Sequence, residues 1–448
     1  MILNLDKKER ITLLGLGLSN FGAALLLKSL GFSNLFISEA SSADANPFFA
    51  ELKGPGVSCE FGGHTDLVLE RTSLLVVSPG FPPQAPIFHK IQQTGIPVVT
   101  DIELAFQAFP DRKFIAVTGS NGKSTTTALL HHLLIQCGLK ASIGGNIGIP
   151  VCKVMLDRMD CDFHVVELSS YQLEHAQSFR PEIAIFLNIT PNHIDHHGSY
   201  ESYTRAKSRI FFNQKPQDTL VKPVTCLEMD PFISKHNGKK ICFGFDGGDI
   251  TYRDGLFYER GRVLFPSEGV HLPGRHNLEN IMAAMAAALS LGLEAPDLEK
   301  ALITFYPLEH RLETVREIKG VKYINDSKST TVDAMVKAIE SFGPSRRVIL
   351  LAGGHDKLTP LVPLTAATSE RVRLAVLFGE AATRFHDFFS PLCPSVTTDT
   401  MEHALDEAAK AAEPGDVILL SPGCASFDQF KNFEHRGAVF KELVQNLR

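Results

Sequence analysis

Short apolar runs separated by amphipathic stretches recur along the whole chain. A buried strand of a parallel sheet is expected to be a run of roughly four to eight apolar residues. Polar or glycine-rich residues follow most of these runs, as is typical of sheets whose strands end at a ligand-binding edge. The runs that predict strands are Ile11–Leu14, Leu35–Glu39, Leu74–Val77, Val98–Asp101, Phe114–Val117, Phe163–Val166, Ile183–Leu187, Lys322–Ile324, Val348–Leu351, Leu374–Phe378 and Val417–Leu420.

Apolar residues at helical spacing fill many of the intervals between the predicted strands. Such spacing predicts helices that cover the faces of parallel sheets. Between Ile241 and Leu272 the pattern changes to short alternating strands with Asp-Gly turns, which predicts a small antiparallel appendage. The clearest helical stretches are Ala23–Leu30, Ser124–Cys137, Tyr203–Phe212, Asn280–Leu289 and Met401–Ala412.

The order of these elements predicts the α/β class with three domains. Residues 1–109 are expected to form an N-terminal Rossmann-like domain. Residues 110–307 are expected to form a central parallel-sheet domain like those of P-loop ATPases, which carries the antiparallel appendage. Residues 308–448 are expected to form a C-terminal, doubly wound, Rossmann-like domain.

A glycine-rich loop between the run Phe114–Val117 and the next helix has the composition of a phosphate-binding loop. Its glycines allow several backbone N–H groups to point at one anion, and the helix N-terminus favours negative charge. Lys123 can reach the outer phosphates and the Ser124 hydroxyl can ligate Mg²⁺. Val117 stands where the usual pattern has a glycine, so this is a short variant; the alternative is an ordinary glycine turn. The loop residues are Gly119, Ser120, Asn121, Gly122, Lys123, Ser124 and Thr125.

The first predicted βαβ unit carries Gly15-Leu16-Gly17 at its turn. One interpretation is a dinucleotide site with Glu39 on a ribose hydroxyl. Asn20, however, occupies the place of the third glycine of that fingerprint. A glycine-rich first turn also binds other phosphorylated ligands, because N–H groups and a helix end suffice. Both interpretations remain open from these residues alone.

Polar side chains after two central strands suggest a metal site. Glu167 follows one strand and can hold Mg²⁺, and Gly144–Gly148 is expected to be a turn that closes over a ligand. His193, Asp195, His196 and His197 follow another strand. Adjacent histidines rarely face one ion together, so His193 is expected to be a single ligand and the others a polar surface loop.

Lys207 lies on the apolar-bordered face of its predicted helix, with Tyr203 and Ile210. It is either a surface lysine whose stem packs on apolar groups or a functional amine whose burial depresses its pKa. Cys424 follows the last strand, but no base is visible near it and buried thiols are commonly inert.

Composition narrows the classes of protein. The chain has 448 residues, 44% of them hydrophobic, and a formal net charge of -6, which argues against a nucleic-acid partner. No apolar run is long enough to insert in a membrane, and Met1–Arg10 is polar, unlike a secretory signal. The eight cysteines are scattered without a C-x-x-C pair, which favours reduced thiols in the cytoplasm.

Taken together, these loops resemble those of the Mur ligases, ATP-dependent amide ligases of peptidoglycan precursor synthesis and therefore of cell shape and division. The resemblance covers essentially the whole chain. Ser421–Gly437 is similar to the branch that adds D-glutamate. The segments that carry the resemblance are Gly15–Leu18, Ser78–Gly80, Asp101–Leu104, Thr118–Thr125, Gly144–Gly148, Glu167–Glu174, Tyr203–Lys207, His310–Arg311, Asn325–Thr330 and Ser421–Gly437.

The resemblance implies a role for each matching position. Lys123, His193 and Lys207 match catalytic positions, and Lys207 matches a lysine that carries a CO₂-derived carbamate. Mg²⁺ ligands are implied at Ser124, Glu167, His193 and Lys207. ATP contacts are implied at the loop Gly119–Thr125 and at Asn146, Asn277, Arg311, Asp326 and Lys328. The UDP-sugar site is implied at Leu16, Gly17, Leu18, Ser19 and Ser78, and this displaces the interpretation of the first turn as a site for a nicotinamide dinucleotide. The D-glutamate site is implied at Thr330, Lys357, Ser426, Phe427 and Phe433.

The implied substrates are UDP-N-acetylmuramoyl-L-alanine, D-glutamate and ATP, and a monomer is expected. The alanyl carboxylate would attack the γ-phosphate of ATP, and the amino acid would then capture the acyl phosphate; the sequence does not identify the base. Phe427 departs from the smaller aliphatic residue of the family, and the segment around Lys357 departs in composition. The alternative is a related ligase for another amino acid, including the folylpolyglutamate type.

Overall fold

The computed structural model describes residues 2–44, 46, 48–158, 160–191, 193–272, 274–306, 309–356 and 359–447. The chain forms two compact units. The first unit comprises Met1–Gly269 and Glu279–Thr304, and the second comprises Val270–Leu278 and Phe305–Arg448. Three sheets give the α/β architecture that the sequence predicts, two in the first unit and one in the second. The predicted domain limits at residues 109 and 307 stay predictions.

The first sheet is a five-stranded parallel sheet with the order β3-β2-β1-β4-β5. In this doubly wound order, β1 and β4 lie at the switch point where such sheets bind ligands. The predicted strand Val98–Asp101 is shorter than expected, because Asp101 begins a helix. The strands are β1 Arg10–Leu14, β2 Leu35–Glu39, β3 Val57–Phe61, β4 Thr72–Val77 and β5 Val98–Val99, and the helices are α1 Leu18–Ser29, α2 Phe49–Leu52, α3 Pro86–Thr94 and α4 Asp101–Ala108.

The second sheet has nine strands in the order β14-β13-β12-β11-β10-β9-β6-β8-β7. Strands β6 to β12 pair in parallel, whereas β12, β13 and β14 pair antiparallel and form the predicted appendage at the edge. The strands are β6 Phe114–Thr118, β7 Ala141–Gly145, β8 Phe163–Glu167, β9 Ile183–Phe186, β10 Thr219–Pro223, β11 Lys239–Gly244, β12 Ile250–Arg253, β13 Leu256–Glu259 and β14 Arg262–Pro266. The helices are α5 Lys123–Gln136, α6 Val151–Asp157, α7 Ser170–Glu174, α8 Ile194–His197, α9 Tyr200–Phe212, α10 Asp230–Ile233, α11 Arg275–Ser290 and α12 Ala295–Ile303.

Gly144 and Gly145 do not form the predicted turn, because both belong to β7. A Cβ atom on Gly144 would lie 2.4 Å from Val154 Cγ2 and 2.5 Å from the Ile149 carbonyl oxygen. These glycines are therefore required by close packing of the strand, and the turn begins only after them.

The third sheet has six strands in the order β15-β16-β20-β17-β18-β19, parallel except for the edge strand β15. Apolar residues pack on both of its faces, as a doubly wound sheet requires. The strands are β15 Glu313–Ile318, β16 Val321–Asn325, β17 Val348–Gly353, β18 Val372–Phe378, β19 Ser395–Thr398 and β20 Val417–Leu420, and the helices are α13 Val332–Glu340, α14 Thr365–Arg371, α15 Ala382–Phe389, α16 Met401–Ala411 and α17 Phe433–Asn446.

Two expectations from composition can be examined in the structure. All eight cysteines are free thiols, as their scattered positions predicted. Among the described residues, no helix combines the length and the apolar character needed to cross a bilayer.

Candidate active site

The loop between β6 and α5 has the geometry of a phosphate-binding loop. Gly122 precedes α5 in the left-handed region, at φ 81°, which favours glycine. A Cβ atom there would lie 2.2 Å from Asn280 Oδ1, so the side chain of Asn280 closes against the loop. Ser124 and Thr125 are buried in the first turn of α5. The sequence analysis missed Asn280, because it is one polar residue in an alanine-rich helix.

Side chains from the segment after β9 hold this loop in place. Ser120 Oγ lies 2.9 Å from the Tyr203 hydroxyl and donates to the Thr190 carbonyl at 3.1 Å. The backbone N–H of Asn121 donates to Asn188 Oδ1 at 2.9 Å, and Asn188 Nδ2 donates back to the Asn121 carbonyl at 3.1 Å. The loop is therefore fixed from outside, which preorganises its backbone N–H groups.

Two lysines converge on the carbonyl oxygen of Gly119. Lys123 Nζ donates to it at 3.0 Å and Lys207 Nζ at 2.8 Å, and Lys207 also reaches Thr118 Oγ1 at 3.3 Å. Lys207 is 2% exposed, so the functional amine is the interpretation that the structure favours over a surface lysine. Burial and the nearby Lys123 lower the pKa of Lys207 well below the usual lysine value, and Glu167 opposes part of this effect.

Glu167 lies at the end of β8, the neighbour of β6, and is 2% exposed. Its Oε1 accepts a hydrogen bond from Asn146 Nδ2 at 2.8 Å. Its Oε2 is buried and has no hydrogen-bond partner among the described residues. A buried carboxylate oxygen without a donor is costly unless a cation or another donor satisfies it. This oxygen therefore fits a metal ligand.

His193 precedes α8 with φ 53° and is exposed, and its Nδ1 lies 2.8 Å from the Tyr171 hydroxyl. The expectation that His196 and His197 belong to a polar surface loop is wrong. Their side chains are 11% and 1% exposed, and His196 Nε2 lies 2.9 Å from Glu174 Oε2. They turn inward because the ring of Tyr171 packs against both of them.

The first turn and the Ser78 loop meet at the ends of β1 and β4. Gly15 has φ 77°, which favours glycine, and a Cβ atom on Gly15 or Gly17 would lie 3.1 or 3.3 Å from the Ser78 side chain, so the turn and this side chain are closely packed. Leu16 is buried, whereas Leu18 is exposed and Ser19 is half-buried. The predicted UDP-sugar positions Leu16–Ser19 and Ser78 are thus brought together. Ser78 also lines a pocket that continues to Tyr171, Glu174, His175 and His196.

Two residues that contact the first turn, one in α1 and one at the end of β2, have structural partners that the sequence did not indicate. Asn20 Nδ2 donates to the carbonyls of Leu14, Gly15 and Val76 and ties β1 to β4. Glu39 Oε2 accepts from the Leu16 N–H at 2.6 Å, so this carboxylate stabilises the turn itself. Asn20 therefore stands at the position of the third glycine because its side chain joins β1 to β4.

The second unit gathers a separate group of predicted residues after β16 and β20. Asp326 is buried and accepts from the Leu312 N–H at 3.1 Å and from Ser421 Oγ at 3.0 Å. Burial raises its pKa to about 7, although Arg311 and the hydrogen bonds from Ser421, Leu312 and Ser329 oppose this. Lys328 Nζ lies 5.6 Å from the centre of the Phe433 ring.

The remaining predicted positions of this unit differ in exposure. Ser426 and Asn277 are buried, and Thr330 is half-buried. Phe427, which replaces the smaller aliphatic residue of the family, is 71% exposed and lies on the surface of the second unit. Lys357 lies outside the described residues.

Arg436 supports the loops of this group, a role that the sequence pattern does not indicate. Its side chain is fully buried and donates to Ser327 Oγ at 3.0 Å, to the Ser327 carbonyl at 2.9 Å and to the Cys424 carbonyl at 3.2 Å. It therefore joins the loops that follow β16 and β20. Burial lowers the pKa of Arg436 to about 10 and raises that of Cys424 to about 12, which removes Cys424 as a nucleophile.

Comparison with known proteins agrees with this arrangement. Residues 117–288 match a family model described as the Mur ligase middle domain, and residues 310–424 match one described as Mur ligase, glutamate ligase domain. A protein of Acidobacterium capsulatum named UDP-N-acetylmuramoylalanine–D-glutamate ligase is 39% identical, over 98% of this chain and 96% of that protein. A protein of Koribacter versatilis with the same name is 38% identical, over 98% of each chain.

Solved structures show the same fold. UDP-N-acetylmuramate-alanine ligase MurC from Thermotoga maritima has a TM-score of 0.60 at 17% identity and covers 97% of this chain and 99% of that one. MurF from Acinetobacter baumannii has a TM-score of 0.60 at 19% identity and covers 98% of this chain and 93% of that one. At such identities these structures establish the fold alone. The full-length relatives go further: this chain belongs to the Mur ligase family, and the predicted enzyme class, a ligase, is confirmed.

Proposed function

We propose that this protein is an ATP-dependent ligase that joins D-glutamate to UDP-N-acetylmuramoyl-L-alanine through an acyl phosphate, releasing ADP and phosphate. The observation that carries the proposal is the full-length similarity to proteins named for this reaction, at 39% and 38% identity. The site geometry supports the ligase chemistry, and the names of the relatives support the choice of amino acid. The cytoplasm and a monomeric state belong to the same proposal.

ATP would lie on the loop Gly119–Thr125, whose backbone N–H groups and helix end suit the phosphates. Lys123 would turn from the Gly119 and Ser120 carbonyls, which it contacts at 3.0 Å, toward the γ-phosphate. The other proposed nucleotide contacts are Asn146, Asn277, Arg311, Asp326 and Lys328.

The residues around the loop fit Mg²⁺, because Glu167 at the end of β8 offers a buried oxygen without a donor among the described residues, and Ser124 offers a buried hydroxyl in the first turn of α5, which follows the neighbouring strand β6. Ser124, Glu167, His193 and Lys207 would hold the ion. When bound, Mg²⁺ supplies charge stabilisation for the transferring phosphoryl group. The hydroxyl of Tyr171, 2.8 Å from His193 Nδ1, would orient that imidazole.

Lys207 would act as a carbamate. The lysine ammonium would first lose one proton, and the neutral amine would then add to CO₂ with loss of a second, which leaves an anion with two oxygens. The burial that lowers the pKa of this amine favours the neutral, nucleophilic form. This chemistry explains how a lysine can serve in a metal site that already contains Lys123.

The nucleotide substrate would bind at the first turn, Leu16–Ser19, and at Ser78, which lie at the switch point of the first sheet. Its alanyl carboxylate would attack the γ-phosphate in line, and Lys123 would offset the charge on the phosphoryl oxygens. The D-glutamate amine would then attack the acyl phosphate carbon, and phosphate would leave from the tetrahedral intermediate. Thr330, Lys357, Ser426, Phe427 and Phe433 are the proposed amino-acid contacts.

Phosphate release tests the proposal. The purified protein is given ATP, Mg²⁺ and UDP-N-acetylmuramoyl-L-alanine, together with D-glutamate, L-glutamate, L-lysine, meso-diaminopimelate or D-alanyl-D-alanine. We expect release with D-glutamate and not with the others. Turnover with L-lysine in place of D-glutamate would assign the chain to another branch of the family, and turnover with a folate acceptor would assign it to the folylpolyglutamate type.

A further inference from the structure

Glu174, His196 and His197 form a cluster that the proposed reaction does not use. One carboxylate oxygen, Glu174 Oε2, lies 2.9 Å from His196 Nε2 and 3.8 Å from His197 Nδ1. One ligand atom from each of the three residues lies within 4.8 Å of the other two. We propose that these three side chains bind a divalent transition-metal ion of the Zn²⁺ type, at a site distinct from the Mg²⁺ site proposed above.

The donor set selects the class of ion. Two imidazoles and one carboxylate are the protein ligands of several zinc sites that keep a fourth position for water. Mg²⁺ prefers oxygen ligands, so two nitrogens disfavour it. Tetrahedral Zn²⁺ bonds of about 2.0–2.1 Å place ligand atoms about 3.3 Å apart. The two distances to Glu174 Oε2, 2.9 and 3.8 Å, lie on either side of this separation.

The ring of His197 contacts Ser170 through one nitrogen and faces Glu174 through the other. Its Nε2 lies 3.0 Å from the buried hydroxyl of Ser170. In the tautomer whose Nε2–H donates to Ser170, the Nδ1 lone pair faces the Glu174 oxygen. Two acceptors that face each other repel, and a metal ion between them removes the repulsion. A hydrogen bond from the second ring nitrogen is also the usual way in which proteins orient a metal-binding histidine.

Packing keeps the two adjacent histidines on one side. The rings of Tyr171 and His197 are parallel within 13° at 5.6 Å, and the ring of His196 meets Tyr171 edge-on at 4.4 Å. The carboxylate comes from α7 and the imidazoles from α8, so the ligands belong to two chain segments. Glu174 and His196 also line the pocket that contains Ser78, which gives an ion a path to the cluster.

Cobalt binding tests the site. The full-length protein, without a histidine tag and freed of metal by chelation, is titrated with Co²⁺ in the absence of nucleotide. We expect one Co²⁺ per chain with the intense visible absorption of a four-coordinate ion, and displacement by Zn²⁺. Glu174→Gln and His196→Asn should each weaken binding by at least about 100-fold, and Ser170→Ala by about 10-fold.

Two control variants make the result specific. His193→Asn removes a proposed Mg²⁺ ligand and should leave the Co²⁺ spectrum unchanged, and His403→Asn removes an exposed histidine of α16 and should do the same. Circular dichroism and thermal unfolding confirm that each variant is folded. Absence of a four-coordinate spectrum would overturn the proposal and leave an ordinary His196–Glu174 ion pair. A spectrum that survives Glu174→Gln and His196→Asn but disappears in His193→Asn would also overturn it.

Discussion

Lys207 in the first unit and Arg436 in the second are both buried cationic side chains, but their surroundings differ. Lys207 has one carbonyl at 2.8 Å, one hydroxyl at 3.3 Å and another lysine close enough to lower its pKa. Arg436 donates five hydrogen bonds, to the carbonyls of Ser327, Cys424 and Ala425 and to the Ser327 hydroxyl.

This difference indicates that Lys207 has a role in the reaction and that Arg436 has a structural role. Burying a charge is costly unless hydrogen bonds replace the lost hydration. Arg436 meets this requirement within the protein and joins two loops. Lys207 has too few hydrogen bonds to replace its lost hydration, and Glu167 Oε2 has no hydrogen-bond partner among the described residues. These surroundings fit a bound metal ion and a modified amine. Mutations of the two residues should therefore affect different measurements.

The largest expected effect is on turnover in Lys207→Ala. Loss of the proposed carbamate should lower the rate of phosphate release by about 10³-fold, because a preorganised charge in the site would be removed. Acetate or formate should restore part of the activity, since a small carboxylate can enter the space and supply the missing oxygens. Lys207→Met, which fills that space, should change the free energy of unfolding by less than about 1 kcal/mol, because the loss of two hydrogen bonds is offset by the removal of a poorly compensated buried amine.

Lys222→Ala is the matched control for this variant. Lys222 is also a buried lysine of the first unit, and it donates to the carbonyls of Pro223 and Val224. Its replacement should lower stability and leave turnover per folded molecule near wild type. Wild-type turnover in Lys207→Ala would contradict the carbamate and erase the contrast with Arg436.

The next effect is on stability in Arg436→Met. The substitution leaves the buried carbonyls of Ser327, Cys424 and Ala425 without their donor, which should cost about 3 kcal/mol or more. Urea unfolding of the variant measures this cost. Arg316→Met is the control, because Arg316 donates to two carbonyls at the exposed edge, where water can replace it. Equal losses in the two variants would show that burial of Arg436 contributes little.

The sequence could predict the features that depend on local patterns, and it could not predict those that depend on contacts between distant residues. Strands and their polar ends were predictable, because apolar runs and strand-end glycines, hydroxyls and acids are local signals. The phosphate loop and Glu167 belong to this class. Lys207 lies on α9, and the sequence pattern left a surface lysine and a functional amine open, so its role is implied only by the family resemblance. Arg436 gave no local signal, since an arginine in a helical stretch is usually exposed and its partners lie about a hundred residues away or in another loop.

Two further misses have the same origin. The glycines of β7 are predicted from the sequence to form a turn. In the structure a side chain on Gly144 would meet Ile149 and Val154, and one on Gly145 would meet the Glu167 backbone, contacts that the sequence cannot show. His196 and His197 are expected from the sequence to lie in a polar surface loop, because adjacent histidines rarely face one ion together. Their helix has four residues, and packing on Tyr171 decides the direction of both rings.

The smallest expected effect is a pH dependence in the second unit. Asp326 has an ordinary pKa of 3.8 when unfolded and about 7 when folded, because burial outweighs Arg311 and its hydrogen bonds. The folded state therefore binds more protons between pH 4 and 7, so this group's contribution to stability is complete below about pH 4 and is lost as the pH rises through about 7. Asp326→Asn removes the titration but keeps the shape of the side chain.

The difference in unfolding free energy between wild type and Asp326→Asn should therefore change by about 2–4 kcal/mol across this range, with wild type relatively less stable at the higher pH. Urea unfolding at a series of pH values measures it, and Asp406→Asn, an exposed acid on α16, is the control. Parallel profiles for wild type and Asp326→Asn would mean that Arg311 and the hydrogen bonds keep the carboxylate ionised. The charge of Asp326 would then be stabilised by groups of the protein, as the charge of Arg436 is. Of the three buried charged residues compared, Lys207 alone would need a bound ion or a modification to stabilise it.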